Sequence, residues 1–150
     1  MNAPARPEAG QRKLAYLALG SNLGDREANL ARARGELDRR GARLLRSSSI
    51  EETEPWGVAE QPPFLNQVLE VEWQGTPRQL LEAAQQVEAA VGRKPSYRWG
   101  PREIDVDLLL VGESRLDEPD LQLPHPRLRE REFVLRELAE LRADLVAGLQ

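Results

Sequence analysis

The 150-residue sequence contains no cysteine, which excludes disulfides, thiolate nucleophiles and cysteine metal sites. It has a single histidine, His125, so a zinc site or a proton relay built from several histidines is also excluded. No apolar run approaches the roughly 20 residues that a membrane-spanning helix needs. Acidic residues (25) outnumber Lys and Arg (21), and the net charge of −4 gives no sign of a surface for polyanions. We therefore expect a cytoplasmic protein that binds neither nucleic acid nor membranes.

The length suits one domain with a single core. Residues 1–12 have no hydrophobic centre and include a glutamate, which argues against a secretory signal. We expect residues 1–12 to be a disordered extension and residues 13–150 to form a single domain.

Apolar periodicity and Pro/Gly breaks predict the element order β-α-β-β-α-β-α. The predicted strands cover residues 14–19, 43–53, 64–73 and 104–111. Helices are predicted from the cap Asp25 to about Arg40, from the cap Thr76 to about Val91, and over residues 127–141. This order favours an α+β fold, a ferredoxin-like βαββαβ antiparallel sheet with helices packed on one face, plus a C-terminal helix. We expect the other face of the sheet to be open to loops.

The segment RWGPREIDVDLLLV, residues 98–111, combines a basic loop with the last predicted strand. Because side chains alternate along a strand, Asp105 and Asp107 share one face, with Cα atoms about 6.5–7 Å apart. The opposite face is predicted to carry Ile104, Val106, Leu108 and Leu110. Two carboxylates beside Arg98 and Arg102 suit Mg²⁺ ions that hold a polyphosphate. The alternative for an Asp-x-Asp pair alone is an edge strand with solvated acids.

Two further segments are weak signals when taken alone. LGSNLGD at residues 19–25 lacks the lysine and spacing of a Walker A loop and is better explained as a strand-to-helix turn. PPFLN at residues 62–66 places an aromatic ring and an amide on one strand face, a pattern more often due to packing than to ligand binding.

Together, and in this order, these segments resemble the 6-hydroxymethyl-7,8-dihydropterin pyrophosphokinase family. The resemblance rests on LGSNLGD at 19–25, TEPWG at 53–57, QPPFLNQV at 61–68, RWGPREIDVDLLL at 98–110 and LPHPRLREREFVL at 123–135. It implies a ferredoxin-like fold and the transfer of the β,γ-diphosphate of ATP to the hydroxymethyl oxygen of the pterin, with release of AMP. ATP is then a co-substrate, and we expect a monomer whose partners are ATP and the pterin.

The resemblance also implies roles for individual residues. Catalysis is assigned to Arg93, Arg102, Asp105 and Asp107, and the two aspartates are expected to bind two Mg²⁺ ions. Contacts with ATP are implied for Gln85, Glu88, Arg93, Trp99, Arg102, Ile104, His125 and Arg131. Contacts with the pterin are implied for Thr53, Glu54, Trp56, Phe64, Asn66, Asp105 and Phe133, with the two phenylalanines stacking on the ring.

Two alternatives share parts of this pattern. A nucleotidyltransferase of the DNA polymerase β type also pairs a Gly-Ser turn with an Asp-x-Asp strand. There, however, the two lie about one helix apart, whereas Ser21 and Asp105 are far apart in this sequence. RNA-recognition domains share the β-α-β-β-α-β order, but they need exposed aromatics and a basic sheet face, and this chain has acids there.

Overall fold

The computed structural model describes residues 11–54, 61–92 and 102–149. In this part of the chain, the strands are β1 (Lys13–Ser21), β2 (Arg43–Ser47), β3 (Glu51–Thr53), β4 (Phe64–Trp73), β5 (Asp105–Val111), β6 (Leu116–Glu118) and β7 (Leu121–Leu123). The helices are α1 (Arg26–Arg39), α2 (Pro77–Val91) and α3 (Glu132–Leu149), and a short 3₁₀ helix covers Leu128–Glu130.

The main sheet has the strand order β2-β4-β1-β5, and β3 pairs with β4 beyond the end of β2. All of its pairings are antiparallel. Since α1 links β1 to β2 and α2 links β4 to β5, this order is that of a ferredoxin-like βαββαβ sheet. The predicted α+β fold is confirmed, and β6 and β7 form a separate two-stranded ribbon.

The helix starts follow the predicted capping residues. Asp25 accepts a hydrogen bond from the Ala28 N–H at 3.1 Å. Thr76 forms a capping box with Gln79, and Pro77 occupies the first turn of α2. Gly92 ends that helix with φ +113°, a left-handed conformation that glycine adopts without strain.

Helices cover both faces of the sheet. On one face, α1 and α2 bury a core that includes Leu17, Leu69 and Val87. On the other, α3 packs through residues such as Leu138 on Tyr16, Val68 and Leu109. The expectation that this second face is left to loops is therefore wrong for the part that α3 covers, because the strands carry apolar side chains on both sides.

The predicted strand over residues 43–53 is two strands, β2 and β3. Between them the Ser48 hydroxyl, instead of a backbone carbonyl, accepts the Val68 N–H at 2.9 Å, which interrupts the ladder. The register of β5 also shifts, because Leu17 pairs with Leu108 while Tyr16 pairs with Leu110. This bulge moves Leu110 to the α3 side, so its predicted place beside Val106 and Leu108 is wrong.

The C-terminal part differs most from the predicted boundaries. Residues 112–126, for which no element is predicted, contain β6 and β7, and the 3₁₀ helix at Leu128–Glu130 occupies the predicted start of the last helix. The last helix begins at Glu132 and extends to Leu149, with non-helical angles at Arg142. None of the helices in the described ranges is both long and apolar enough to cross a bilayer.

A polar network centred on the buried side chains of Tyr16 and Glu70 fixes α3 on the sheet. Glu70 accepts hydrogen bonds from the Tyr16 hydroxyl (2.6 Å) and from Arg46 (2.9 and 3.1 Å). Arg46 also donates to the Leu141 carbonyl at 2.6 Å, and Arg142 donates to the Tyr16 hydroxyl at 3.0 Å. Burial and the neighbouring Glu70 raise the pKa of Tyr16 to about 12, so the phenol remains a donor. The network holds the helix whose first turns form a wall of the site described next.

Candidate active site

A cavity of about 390 Å³ lies between the sheet and the start of α3. Its walls come from β1, β3, β4 and β5, from the segment before α3, and from the first two turns of that helix. Ten of the residues predicted for the site line it: Thr53, Glu54, Phe64, Asn66, Arg102, Asp105, Asp107, His125, Arg131 and Phe133.

Three other predicted residues do not line this cavity. Gln85 is exposed on α2, and Ile104 is fully buried in the core beneath the sheet. Glu88 accepts a hydrogen bond from the Val106 N–H at 2.9 Å, so it supports β5 from the α2 side. The remaining three, Trp56, Arg93 and Trp99, lie outside the described residues.

The two aspartates stand on the cavity face of β5, on either side of the buried Val106. An Arg102 Nη1 donates to Asp105 Oδ2 at 2.6 Å, and Arg131 Nη1 lies 3.8 Å from Asp107 Oδ2. The site thus alternates two carboxylates with two guanidinium groups. Such a pattern can accept a divalent cation and a phosphate chain at the same time, because each ligand then meets groups of opposite charge.

The carboxylates fit the metal that the resemblance implies. Mg²⁺ prefers hard oxygen ligands and is commonly bound by one or two carboxylates, with substrate phosphates and water completing the shell. Asp105 and Asp107 supply such oxygens from one strand face, with side chains 18% and 38% exposed. They therefore remain accessible to a cation that enters with a nucleotide.

Asn22 fixes the chain on both sides of the cavity, a role that the sequence analysis did not find. Its Oδ1 accepts the Arg102 N–H at 2.8 Å, while its Nδ2 donates to Gln61 Oε1 and to the Pro62 carbonyl, both at 3.1 Å. It is only 1% exposed. The sequence analysis explains the segment 19–25 only as a turn. A polar residue directly after a buried strand, where a turn does not require one, is the signal that could have indicated this structural role of Asn22.

The aromatic end of the cavity is formed by Phe64 from β4 and Phe133 from α3. Asn66, two residues after Phe64 on β4, donates through Nδ2 to Thr53 Oγ1 at 2.6 Å, which sets the orientation of its amide. A Cβ on Gly20 would lie 3.4 Å from both Asn66 Oδ1 and Phe64 Cδ1. Gly20 therefore keeps the floor of the cavity flat, which a planar ring requires.

His125 lies in the segment between β7 and α3. Its Nδ1 accepts the Arg127 N–H at 3.1 Å, so the hydrogen of the neutral ring is on Nε2. Burial, followed by the positive charges of Arg131 and Arg127, lowers the pKa of His125 to about 4. At neutral pH His125 is an uncharged hydrogen-bond donor.

Two other residues that line the cavity, Arg127 and Glu137, were not predicted from the sequence.

Comparison with known proteins agrees with this arrangement. Residues 16–143 match the family model described as 7,8-dihydro-6-hydroxymethylpterin-pyrophosphokinase (HPPK). A Bacillus subtilis protein named 2-amino-4-hydroxy-6-hydroxymethyldihydropteridine pyrophosphokinase is 45% identical over 129 residues, which are 85% of this chain and 77% of the relative. A Methylorubrum extorquens protein of the same name is 45% identical over 135 residues, 89% of this chain and 85% of the relative.

The fold is also found among solved structures. The chain aligns with a crystal structure of HPPK-DHPS in complex with substrates at a TM-score of 0.67 and 12% identity, over 87% of this chain and 40% of that one. This likeness supports the fold, and the chain spans less than half of that structure. From the matched family model and the two bacterial relatives, the chain belongs to the 7,8-dihydro-6-hydroxymethylpterin-pyrophosphokinase family.

Proposed function

We propose that the cavity between Phe64, Asp105 and Phe133 is the active site of a pterin pyrophosphokinase. As a member of this family the chain is an ATP-dependent transferase of folate biosynthesis. The reaction moves the β,γ-diphosphate of ATP to the hydroxymethyl oxygen of 6-hydroxymethyl-7,8-dihydropterin and releases AMP. One observation carries the assignment: paired carboxylates and guanidinium groups line the same cavity as two phenylalanines and an amide.

The charged end suits the nucleotide. Asp105 and Asp107 would hold Mg²⁺, which supplies charge neutralisation for the triphosphate and polarises the phosphorus that is attacked. In the structure their carboxylates pair with Arg102 and Arg131. When Mg²⁺ and ATP bind together, the guanidinium groups can turn to the phosphate oxygens because the cation replaces them at the carboxylates. That two ions bind there is a prediction.

The aromatic end suits the acceptor. Phe64 and Phe133 would stack on the two faces of the pterin ring, and Asn66, oriented by Thr53, would bond to its edge. Both substrates would then be held in one orientation, and positioning is a large part of catalysis when the protein performs little covalent chemistry.

We also propose that the chain is a monomer in which residues 13–150 act as one domain in the cytoplasm. The monomer is supported by the composition of the cavity, since every wall described above is formed by elements of the same chain. Light scattering at micromolar concentration tests the monomer, which a dimer mass would contradict.

The function is tested with the full chain, ATP, Mg²⁺ and 6-hydroxymethyl-7,8-dihydropterin. We expect AMP and the pterin diphosphate in equal amounts, and no AMP when the pterin is left out.

Asp105→Asn and Asp107→Asn should each lower kcat by about 10²–10³-fold, because the transferring group loses its counter-ion. The matched control is Asp117→Asn, on exposed β6 away from the cavity, which should leave kcat unchanged. Near-normal turnover in both aspartate variants would place the metal elsewhere.

A further inference from the structure

Two polar side chains of α3, Arg136 and Glu140, hold the start of β3 at the rim of the cavity. Glu140 accepts hydrogen bonds from the Ser49 N–H at 2.8 Å and from the Ser49 hydroxyl at 2.6 Å. These bonds lower the pKa of Glu140, so they are made to an ionised carboxylate. One helical turn earlier, Arg136 donates to Glu51 Oε2 at 3.0 Å from Nη2 and at 3.3 Å from Nε. We call these four residues the β3 clamp, and none of them lines the cavity itself.

The spacing of the clamp fixes the register of β3 against α3. Four residues of a helix advance about 6 Å along its axis, and two residues of an extended chain advance about 6.6 Å. Arg136 and Glu140 are therefore spaced to meet Glu51 and Ser49 at the same time, in antiparallel order. Two contacts at this spacing stop the strand both from sliding along the helix and from turning about a single point. One contact alone could not do this.

β3 depends on such contacts because it is short and lies at the edge of the sheet. It has three residues, and within the described ranges it pairs with β4 only. A strand shorter than average forms few ladder hydrogen bonds, so side-chain contacts decide much of where it lies. On the α1 side, Arg26 donates to Glu52 Oε2 and to the Pro63 carbonyl, both at 2.8 Å. The clamp supplies the corresponding contacts on the α3 side.

The clamp connects two walls of the cavity. On β3, Thr53 lines the cavity two residues after Glu51, and on α3, Phe133 lines it three residues before Arg136. The Thr53 hydroxyl also accepts the hydrogen bond that orients the Asn66 amide. A movement of β3 relative to α3 would therefore change both the gap between these walls and the direction of that amide.

We propose that the β3 clamp sets the width of the pterin site, and that Glu140 is thus a positioning residue for the reaction although it touches neither substrate. The reason is that groups held slightly out of place lose much of their contribution to binding and catalysis. Asp105 and Asp107 lie on β5, separated from β3 by β4 and β1, so nucleotide binding should be little affected. The inference rests on the proposed function.

The experiment compares the wild type with Glu140→Ala, Glu140→Gln, Ser49→Ala and Arg136→Met. Glu132 is exposed on the same helix and does not line the cavity, so Glu132→Ala and Glu132→Gln are the controls. Pterin affinity is measured calorimetrically with a non-hydrolysable ATP analogue present. Glu140→Ala should weaken pterin binding about 5- to 20-fold, because both bonds to Ser49 are lost and β3 is released.

The other variants grade this effect. Glu140→Gln should stay within about threefold of the wild type, since its amide can accept from the Ser49 N–H and donate to the hydroxyl. Ser49→Ala loses only the hydroxyl bond and should fall between Glu140→Gln and Glu140→Ala. Arg136→Met opens the second contact and should weaken pterin binding about 2- to 5-fold, because its ion pair is partly exposed.

Two further measurements separate positioning from a general loss of stability. Affinity for the ATP analogue alone should be the same in every variant, and the melting temperature confirms that each is folded. In NMR spectra of labelled protein, the side-chain amide signals of Asn66 should shift in Glu140→Ala and stay in place in both Glu132 controls.

Wild-type pterin affinity in Glu140→Ala or in Arg136→Met would overturn the inference. So would an equal loss of affinity for the ATP analogue, or a loss in Glu140→Gln as large as in Glu140→Ala. An unshifted Asn66 signal in Glu140→Ala would also overturn it, and this readout needs no turnover. A wild type that makes no AMP would instead refute the proposed function.

Discussion

Replacing Glu137 by glutamine should stabilise the protein, and the gain should grow with pH. The variant keeps the size and hydrogen-bonding pattern of the neutral acid but has no proton to lose. In the wild type, burial and Glu51 raise the pKa from the ordinary 4.5 to about 9. Between these values the folded protein holds a proton that the unfolded chain releases, so the stability contributed by this group falls as pH rises.

The magnitude follows from the two pKa values. At 1.36 kcal/mol per pH unit, keeping the proton costs nothing below pH 4.5 and up to about 3 kcal/mol at pH 7. Water that reaches the cavity lowers this cost, so we expect a gain of about 1–3 kcal/mol for Glu137→Gln at pH 7. For a chain of this length, each kcal/mol corresponds to about 2–4 °C, so the expected rise in Tm is about 2–12 °C.

Thermal unfolding of the wild type, Glu137→Gln and the control Glu132→Gln at pH 5, 6, 7 and 8 tests this. The difference between the wild type and Glu137→Gln should widen at each step, while the control should follow the wild type throughout. A constant difference across this range would show that Glu137 does not hold a proton in the folded state, and the reasoning about its burial would be refuted.

Two further predictions concern the cavity walls. Truncation of Phe64 or Phe133 to alanine should weaken pterin binding by about 1–3 kcal/mol in a calorimetric titration, because one face of the ring loses its stacking partner. Binding of the ATP analogue should remain almost unchanged. Equal losses of affinity for both ligands would argue against a stacking pocket. Because His125 is the single histidine of the chain, its titration can be followed by NMR without overlap, and its midpoint should lie near pH 4. A midpoint near pH 6.5 would mean that the ring is not buried beside Arg131 and Arg127.

Local rules predicted most of the secondary structure. The capping residues Asp25 and Thr76, the strand Phe64–Trp73 and the end of α2 at Gly92 all depend on neighbours within a few residues. The split between β2 and β3 and the bulge near Leu109 depend instead on a partner strand remote in sequence. Register of this kind cannot be obtained from a single strand's own pattern.

The site was predictable to different degrees for the same reason. The shared face of Asp105 and Asp107 follows from the period of a strand and is confirmed by their common position in the cavity. Phe64 and Phe133 were expected only through the resemblance, since no local rule brings β4 to α3. Glu137 was missed, although an acid inside the apolar stripe of Val134, Leu138 and Leu141 was a visible signal.

Burial explains how one cavity can hold carboxyl groups in opposite protonation states. Asp105 and Asp107 stand beside Arg102 and Arg131 and are partly exposed, so they are ion-paired carboxylates able to exchange a guanidinium for a metal ion. Glu137 is buried beside another acid, Glu51, so its protonated form has the lower free energy. Under the proposed function, the charged end would therefore select Mg²⁺ and phosphate, while the neutral end would select an uncharged ring. This polarity would orient the two substrates with their reacting groups towards each other.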